Sequence, residues 1–270
     1  MSVVALREAL SEEEFGGKAV QLGAALRASL SVPPGFALSV RQVNQVAAGE
    51  PEALGRVREL LARVGPSVAV RSSAVGEDSA QASFAGQHLT ALAVRTEEGL
   101  VEAVRQVWAS GRSEAALGYR RKMGWVGEPR VAVVVQHLVA AECAGVLFTC
   151  DPVTGADERV IEATWGLGEA VVAGLVTPDR YRVQRDGHIL ERTAGEKDLA
   201  ILPLPDGGTH EVRIEGERAH ALCLDDARLH ALNALAARCE EHFGGQQDLE
   251  FAFSGEHLYL LQRRAVTRAG

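Results

Sequence analysis

Arg71-Ser-Ser-Ala-Val-Gly-Glu-Asp-Ser-Ala-Gln-Ala-Ser-Phe-Ala-Gly-Gln87 follows the apolar run Ser67-Val-Ala-Val70. A buried strand thus delivers a cation into a stretch of small hydroxyl, alanine and glycine residues that has no hydrophobic period. Two readings fit these residues. In one, the segment handles phosphate: arginine offers a planar fork of donors, and small residues let backbone N–H groups approach an anion. In the other it is a Ser/Ala/Gly surface loop after a strand, a common connection.

Outward from this stretch, strands and helices mix without regular βαβ alternation. Gly16-Gly17-Lys18 opens a helix whose apolar side is expected to carry Val20, Leu22, Leu26 and Leu30, and Pro33-Pro34-Gly35 ends it. Phe36–Val40 reads as a short strand, residues 41–65 as helix broken at Gly49-Glu-Pro51, and Leu89–Val94 as a strand. Thr96 caps a helix running to about Ser110, with Leu100, Val101, Val104, Val107 and Trp108 on one face. Arg130–Gln136 and Gly145–Thr149 are apolar strands, and strand-like runs between Asp157 and Asp186 flank a turn at Gly166-Leu-Gly168. Residues 187–224 read as short antiparallel strands, and Asp225-Asp226 caps a helix with Leu229, Leu232, Leu235, Ala236, Cys239 and Phe243 on one side. Asp248–Phe253 and His257–Arg264 close the pattern as a hairpin. The fold class is α+β with antiparallel sheets, and neither GxGxxG nor GxxxxGK[ST] occurs.

The totals suit a soluble globular chain: 270 residues, 47% hydrophobic, 24% charged. A net charge of −8 with no basic block argues against a nucleic-acid binder. Cys143, Cys150, Cys223 and Cys239 lack metal-ligand spacing and are expected to be reduced and mostly buried. No run of 18 apolar residues and no signal-like N-terminus is present, so a cytoplasmic protein without membrane partners is expected.

The last hairpin carries the clearest constellation. If Phe253 pairs with His257, then Asp248, Glu250, Gln262 and Arg264 share one face, while Leu249, Phe251, Phe253, Tyr259 and Leu261 share the other. Carboxylate, amide oxygen and guanidinium together suit Mg²⁺ and triphosphate, although a solvated face of an edge hairpin fits the same pattern. Lys18 at a helix start is suited to phosphate, although on these residues alone an exposed lysine is the more common explanation. His210, in Asp206-Gly-Gly-Thr-His210, reads as a loop histidine, and Lys197 as a surface lysine.

Several of these stretches together resemble the ATP-grasp domain of the phosphoenolpyruvate synthase and pyruvate phosphate dikinase family, which rifampicin phosphotransferases share. They are Gly16-Gly17-Lys18-Ala-Val-Gln-Leu-Gly23, Val32-Pro-Pro-Gly-Phe36, Arg71-Ser-Ser-Ala with Glu77-Asp78 and Ala82–Gln87, Val133–Val139, Gly145–Gly155, Ile161–Glu169, Val176–Tyr181, Asp248-Leu-Glu250 and Leu261-Gln-Arg-Arg264. The resemblance runs from Gly16 to Thr267.

It implies MgATP held between two lobes, residues 1–135 and 136–270, with residues 41–66 a shortened helical segment. Lys18, Arg71 and Arg264 would neutralise phosphates and act in transfer, and Glu250 and Gln262 would hold Mg²⁺. Gln136 would meet the adenine. Thr149, Asp151 and Glu169 would line the ATP cleft, a role that for each stands beside turn capping.

The sequence departs from the family at Ala19, where glycine is usual, and at Ala265, where proline is usual. Phosphohistidine and acceptor domains do not follow, so a free-standing phosphotransferase is expected. It would yield AMP and phosphate and phosphorylate a histidine on a separate polypeptide. An ATP-grasp ligase and a nucleotide-sensing module are the alternatives.

Overall fold

A computed structural model describes residues 2–76, 89–122, 124–125 and 127–266. They divide into two compact units: Met1–Arg27, Pro33–Leu138 and Leu204–Gly208 form the first, and Ala28–Val32, Val139–Pro203 and Thr209–Gly270 the second. Each is antiparallel sheet with helices, the expected α+β class. Among the described residues no helix is long and apolar enough to cross a membrane.

The first unit contains β1 (Val3–Ala5), α1 (Glu12–Arg27), β2 (Gly35–Leu38), α2 (Val40–Ala47), α3 (Pro51–Val64), β3 (Val68–Ala74), β4 (Thr90–Val94), α4 (Glu97–Ser110), α5 (Glu114–Lys122) and β5 (Val131–His137). The sheet order is β1-β2-β5-β3-β4. Helix starts follow side-chain chemistry: Ser39 accepts from Gln42 N–H to cap α2, and Thr96 accepts from Gly99 N–H to cap α4. Such caps are worth about 1 kcal/mol each. The Ser39 cap also corrects the expected strand, which stops at Leu38 because the next two residues begin a helix.

One sheet face, with Val68, Val70, Val133 and Val135, packs into an apolar core with Val43 and Val46 of α2, Val57 and Leu60 of α3, and Leu100, Val104 and Val107 of α4. The α1 stripe differs from the expected one. Phe15, Ala19, Leu22 and Ala25 are buried, whereas Val20 and Leu26 are only half-buried, because a break at Gly16 sets the helix phase.

The second unit contains β6 (Cys143–Phe148), β7 (Glu158–Trp165), α6 (Glu169–Val172), β8 (Asp179–Gln184), β9 (Ile189–Thr193), β10 (Leu199–Pro203), β11 (Thr209–Arg213), α7 (Glu217–His220), α8 (Asp226–Phe243), β12 (Gln247–Ser254) and β13 (His257–Ala265). Its main sheet runs β13-β12-β6-β7-β8-β9, and β10 and β11 form a separate pair. His210 therefore lies in β11 opposite Leu202, not in a loop. Asp225 caps α8 by accepting from Arg228 N–H, and Gly244 closes it at φ 69°.

Leu147, Ile161, Tyr181 and Leu249 lie in register across four strands and are fully buried. Helix α8 covers this face: Arg228 stacks over Phe253 and Phe243 lies under Arg263, both strand residues being on that side. The opposite face is the one that carries the candidate functional residues.

Candidate functional site

In the first unit Arg71 is not delivered into a loop. Strand β3 continues to Ala74, with Arg71 opposite Val134 of β5 and Thr90 of β4. Small polar residues can occupy this strand because alternate side chains face α1. Ser73, fully buried, donates from Oγ to Phe15 O at 2.8 Å and accepts from Ala19 N–H at 3.0 Å.

Glycine is required at position 16. Its φ is +74°, and a Cβ there would lie 1.8 Å from Ser73 O. The Gly-Gly-Lys segment is thus seated against β3, with Lys18 only 8% exposed and Arg71 two residues from the serine that holds it. Gln136 is buried on the same sheet face, opposite Ala69, and its Nε2 donates to Pro33 O at 3.0 Å. That bond commits the amide nitrogen to the fold. Glu77, Asp78 and Ala82–Gln87 lie outside the described residues.

In the second unit the hairpin differs from the expected register. Asp248 stands opposite Arg264 and Glu250 opposite Gln262, but Phe251 pairs with Leu260, so a bulge leaves Leu261 as an extra residue. The turn therefore contains two residues, and Leu260 enters the core while Tyr259 shifts to the other face. The bulge places Glu250 and Gln262 directly opposite each other instead of on adjacent rungs.

Arg264 Nε donates to Asp248 Oδ2 at 2.6 Å. The neighbouring Arg263 points the other way, donates to Gln247 Oε1 at 2.7 Å and stacks on Phe243. Two consecutive arginines are thereby divided into a structural one and one on the face that carries the candidate functional residues.

Burial raises the proton affinity of Asp248. Arg264 works against that rise and the charge of Glu250 adds to it. A cation held by these oxygens would relieve the carboxylate repulsion. Among the described residues no cluster of three or more His, Cys, Asp and Glu could hold a metal on its own. Two hard oxygen donors, Glu250 and Gln262, nevertheless fit Mg²⁺, which takes most of its shell from water and phosphate. Sequence reading passed over Glu162, which lies on this face, separated from Glu250 only by Val146 of β6. The alternation Ile161-Glu162-Ala163 was the available signal.

Two of the three residues expected to line the cleft have structural commitments. Thr149 is fully buried; its Oγ1 accepts from Gln247 N–H at 2.9 Å and its carbonyl accepts from Arg159 at 2.7 Å. It fastens the residue preceding Asp248. Asp151 Oδ1 accepts from Val153 N–H at 2.8 Å and Thr154 N–H at 3.0 Å, a turn-capping role. The Thr154 and Val153 donors hold its carboxyl below the usual range, helped by Arg180 at 3.8 Å. Glu169 is half-buried at the first position of α6.

The expected surface lysine, Lys197, is fully buried and ion-paired to Asp179, a partner 18 residues away. The four cysteines are buried thiols that form no disulfide. Burial pushes the Cys143 and Cys239 thiols up to about 11, so neither supplies a thiolate at neutral pH.

The family model "Pyruvate phosphate dikinase, AMP/ATP-binding domain" matches residues 50–270. A probable phosphoenolpyruvate synthase of Methanothermobacter thermautotrophicus is 34% identical over 99% of this chain and 46% of its own length. One from Archaeoglobus fulgidus is 36% identical over 93% of this chain and 39% of its own. A rifampicin phosphotransferase of Streptomyces sviceus is 39% identical over 84% of this chain and 26% of its own. The chain thus spans less than half the length of these relatives. A D-alanine–D-alanine ligase from Helicobacter pylori overlays at TM-score 0.44 and 11% identity, over 96% of this chain and 56% of its own, a likeness too slight to carry an argument.

Proposed function

The chain belongs to the pyruvate phosphate dikinase AMP/ATP-binding domain family, and on that premise we propose that it binds MgATP and acts in phosphoryl transfer. In this reading ATP is cleaved to AMP. One of the two outer phosphoryl groups passes to a histidine beyond residues 1–270, and the other is released as phosphate with consumption of water.

Lys18 and Arg71 would neutralise phosphate oxygens. Glu250 and Gln262 would hold Mg²⁺, which when bound supplies charge neutralisation to the phosphates. Arg264, held by Asp248, would stabilise charge on the transferred group. Gln136 and Glu169 would contact the nucleotide, and Thr149 and Asp151 would act through the loops and strand they fix. The observation that supports this most is the direct opposition of Glu250 and Gln262, beside the Asp248–Arg264 pair on the same face.

The test is incubation with Mg²⁺ and ATP labelled at the β-phosphate, in the presence of cell extract. Formation of AMP and an acid-labile phosphoprotein band that carries the label are expected, and both should be lost with Glu250→Ala. The size of the labelled band separates a histidine further along the same polypeptide from one on a distinct partner. ADP as the product would instead indicate a ligase. ATP binding that survives Glu250→Ala, with no product from the wild type, would indicate a sensing module.

A further inference from the structure

Lys197 and Asp179 are both fully buried and bonded to each other through Nζ and Oδ1. The carboxylate collects further donors. Gly195 N–H reaches Oδ1 at 2.9 Å, and Cys223 N–H and Tyr181 Oη–H reach Oδ2 at 2.8 and 3.1 Å. Tyr181 Oη accepts from Leu224 N–H at 3.1 Å, Lys197 Nζ donates to Gly195 O at 3.3 Å, and Lys197 N–H donates to Ala219 O at 3.0 Å. Three stretches that are distant in sequence meet at the first residue of β8: Asp179–Tyr181, Gly195–Lys197 and Ala219–Leu224. A buried carboxylate satisfied on both oxygens tolerates few rearrangements, because each alternative leaves a charge or donor unpaired.

Strand β10 begins two residues after Lys197. Its Ile201 O accepts from Leu167 N–H at 2.9 Å, and Ile201 forms a parallel bridge with Gly166. Gly166 has φ +73°, and a Cβ there would lie 2.6 Å from Ile201 O. The turn Gly166-Leu-Gly168 is therefore folded directly against β10, and it leads into Glu169 at the start of α6.

We propose that the Lys197–Asp179 pair is a positioning device: it anchors β10, and through β10 it sets the Gly166–Glu169 segment for nucleotide binding. Lys197 touches no substrate in this account. An aliphatic side chain could fill the same space, but it would not select one placement of residues 195–201 over a neighbouring one. The proposal rests on the reading that Glu169 contacts the nucleotide.

The experiment has a nucleotide-free arm and a nucleotide arm, both on the whole chain. In the first, amide hydrogen exchange is compared for Lys197→Met and wild type. Leu167 N–H is expected to exchange about tenfold faster in the variant while Phe251 N–H in β12 is unchanged. No change at Leu167, or an equal change at both amides, overturns the proposal.

In the second arm, the ATP dissociation constant is measured with Mg²⁺. Lys197→Met is expected to weaken binding about tenfold, as small misplacements of contact groups do. The double variant Asp179→Asn/Lys197→Met, which removes both charges, is expected to recover melting temperature but not ATP affinity. Recovery of both means that the pair merely stabilises the fold, which also overturns the proposal. The double variant keeps the question open to test if Lys197→Met alone fails to fold. If the wild type does not bind ATP, the nucleotide reading falls, and Leu167 exchange still decides whether the pair sets the turn.

Discussion

The two units hold their polar groups in different ways. Among the described residues the first buries one charged side chain, Lys18, whereas the second buries Asp151, Glu158, Arg159, Asp179, Lys197, Asp248 and Arg263. In the first, the Gly-Gly-Lys segment is seated by a neutral hydroxyl and a glycine that permits backbone contact. In the second, Arg159 joins Thr149 O to Glu240, Thr149 fastens Gln247, and Arg264 braces Asp248. Close backbone approach is sensitive to added volume. Buried charge is sensitive to loss of a partner and to pH. The same need, a fixed polar side chain, has been met by sterics in one unit and by electrostatics in the other.

The hardest test of the steric half is Gly16→Ala. The new Cβ would overlap Ser73 O, and the helix cannot recede without breaking the Ser73 bonds to Phe15 and Ala19. Overlap and an unfavourable φ together predict a loss of about 3 kcal/mol in denaturant unfolding. ATP binding should weaken in parallel, because Lys18 lies two residues on. A loss of a few tenths would show that α1 is not held tightly against β3, and the contrast between the units would collapse.

Asp151 tests the electrostatic half. Replacing it with alanine removes two charge-assisted backbone hydrogen bonds, for an expected cost of about 1–2 kcal/mol at pH 7. Because the Thr154 and Val153 donors lower its folded pKa, the stabilisation is present above the unfolded value and lost as pH falls through the folded one. The difference between wild type and Asp151→Ala should therefore shrink on acidification below about pH 4. A difference that persists unchanged in acid would mean that the turn depends on shape and not on the charge.

Much of the first unit is legible in the sequence because its elements follow local rules. Thr96 and the stripe Leu100–Val104–Val107 are sufficient for α4, and the valine run of β5 for a central strand. Arg71-Ser-Ser-Ala74 was less legible as strand, since small polar residues read as a loop until Ser73 finds α1.

The second unit hides more. The run Leu258-Tyr-Leu-Leu261 is apolar without alternation, so nothing in it marks where the bulge falls or which of its residues turn inward. Lys197 looks like any surface lysine, because the carboxylate that makes its burial possible belongs to a strand 18 residues earlier in the chain. Thr149 and Asp151 carry the residue types of both a ligand and a turn, and only their partners distinguish the two. Local periodicity and capping are written in neighbouring residues; buried ion pairs and bulges are written in pairs that only the fold brings together.

The smallest expected effect probes what close packing costs the first unit. Ala93 in β4 is fully buried with φ +53°, at the register shift where Val68 pairs with Val94 but Val70 pairs with Ala91. Its carbonyl accepts from Gly208 N–H at 3.0 Å, which helps hold the bulge in place. A left-handed conformation costs a non-glycine residue about 1–2 kcal/mol. Ala93→Gly removes that strain, loses one buried methyl worth roughly 0.8 kcal/mol, and gives the unfolded chain more freedom.

The balance should be within about 0.5 kcal/mol of zero, on the favourable side. Ala132→Gly, in the regularly paired strand β5, removes the same methyl without relieving strain and should cost about 1 kcal/mol or more. Chemical denaturation of the pair measures the difference directly. Equal losses at both positions would mean that Ala93 carries no strain, and that the bulge follows from packing of the turn at Leu204–Gly208 alone.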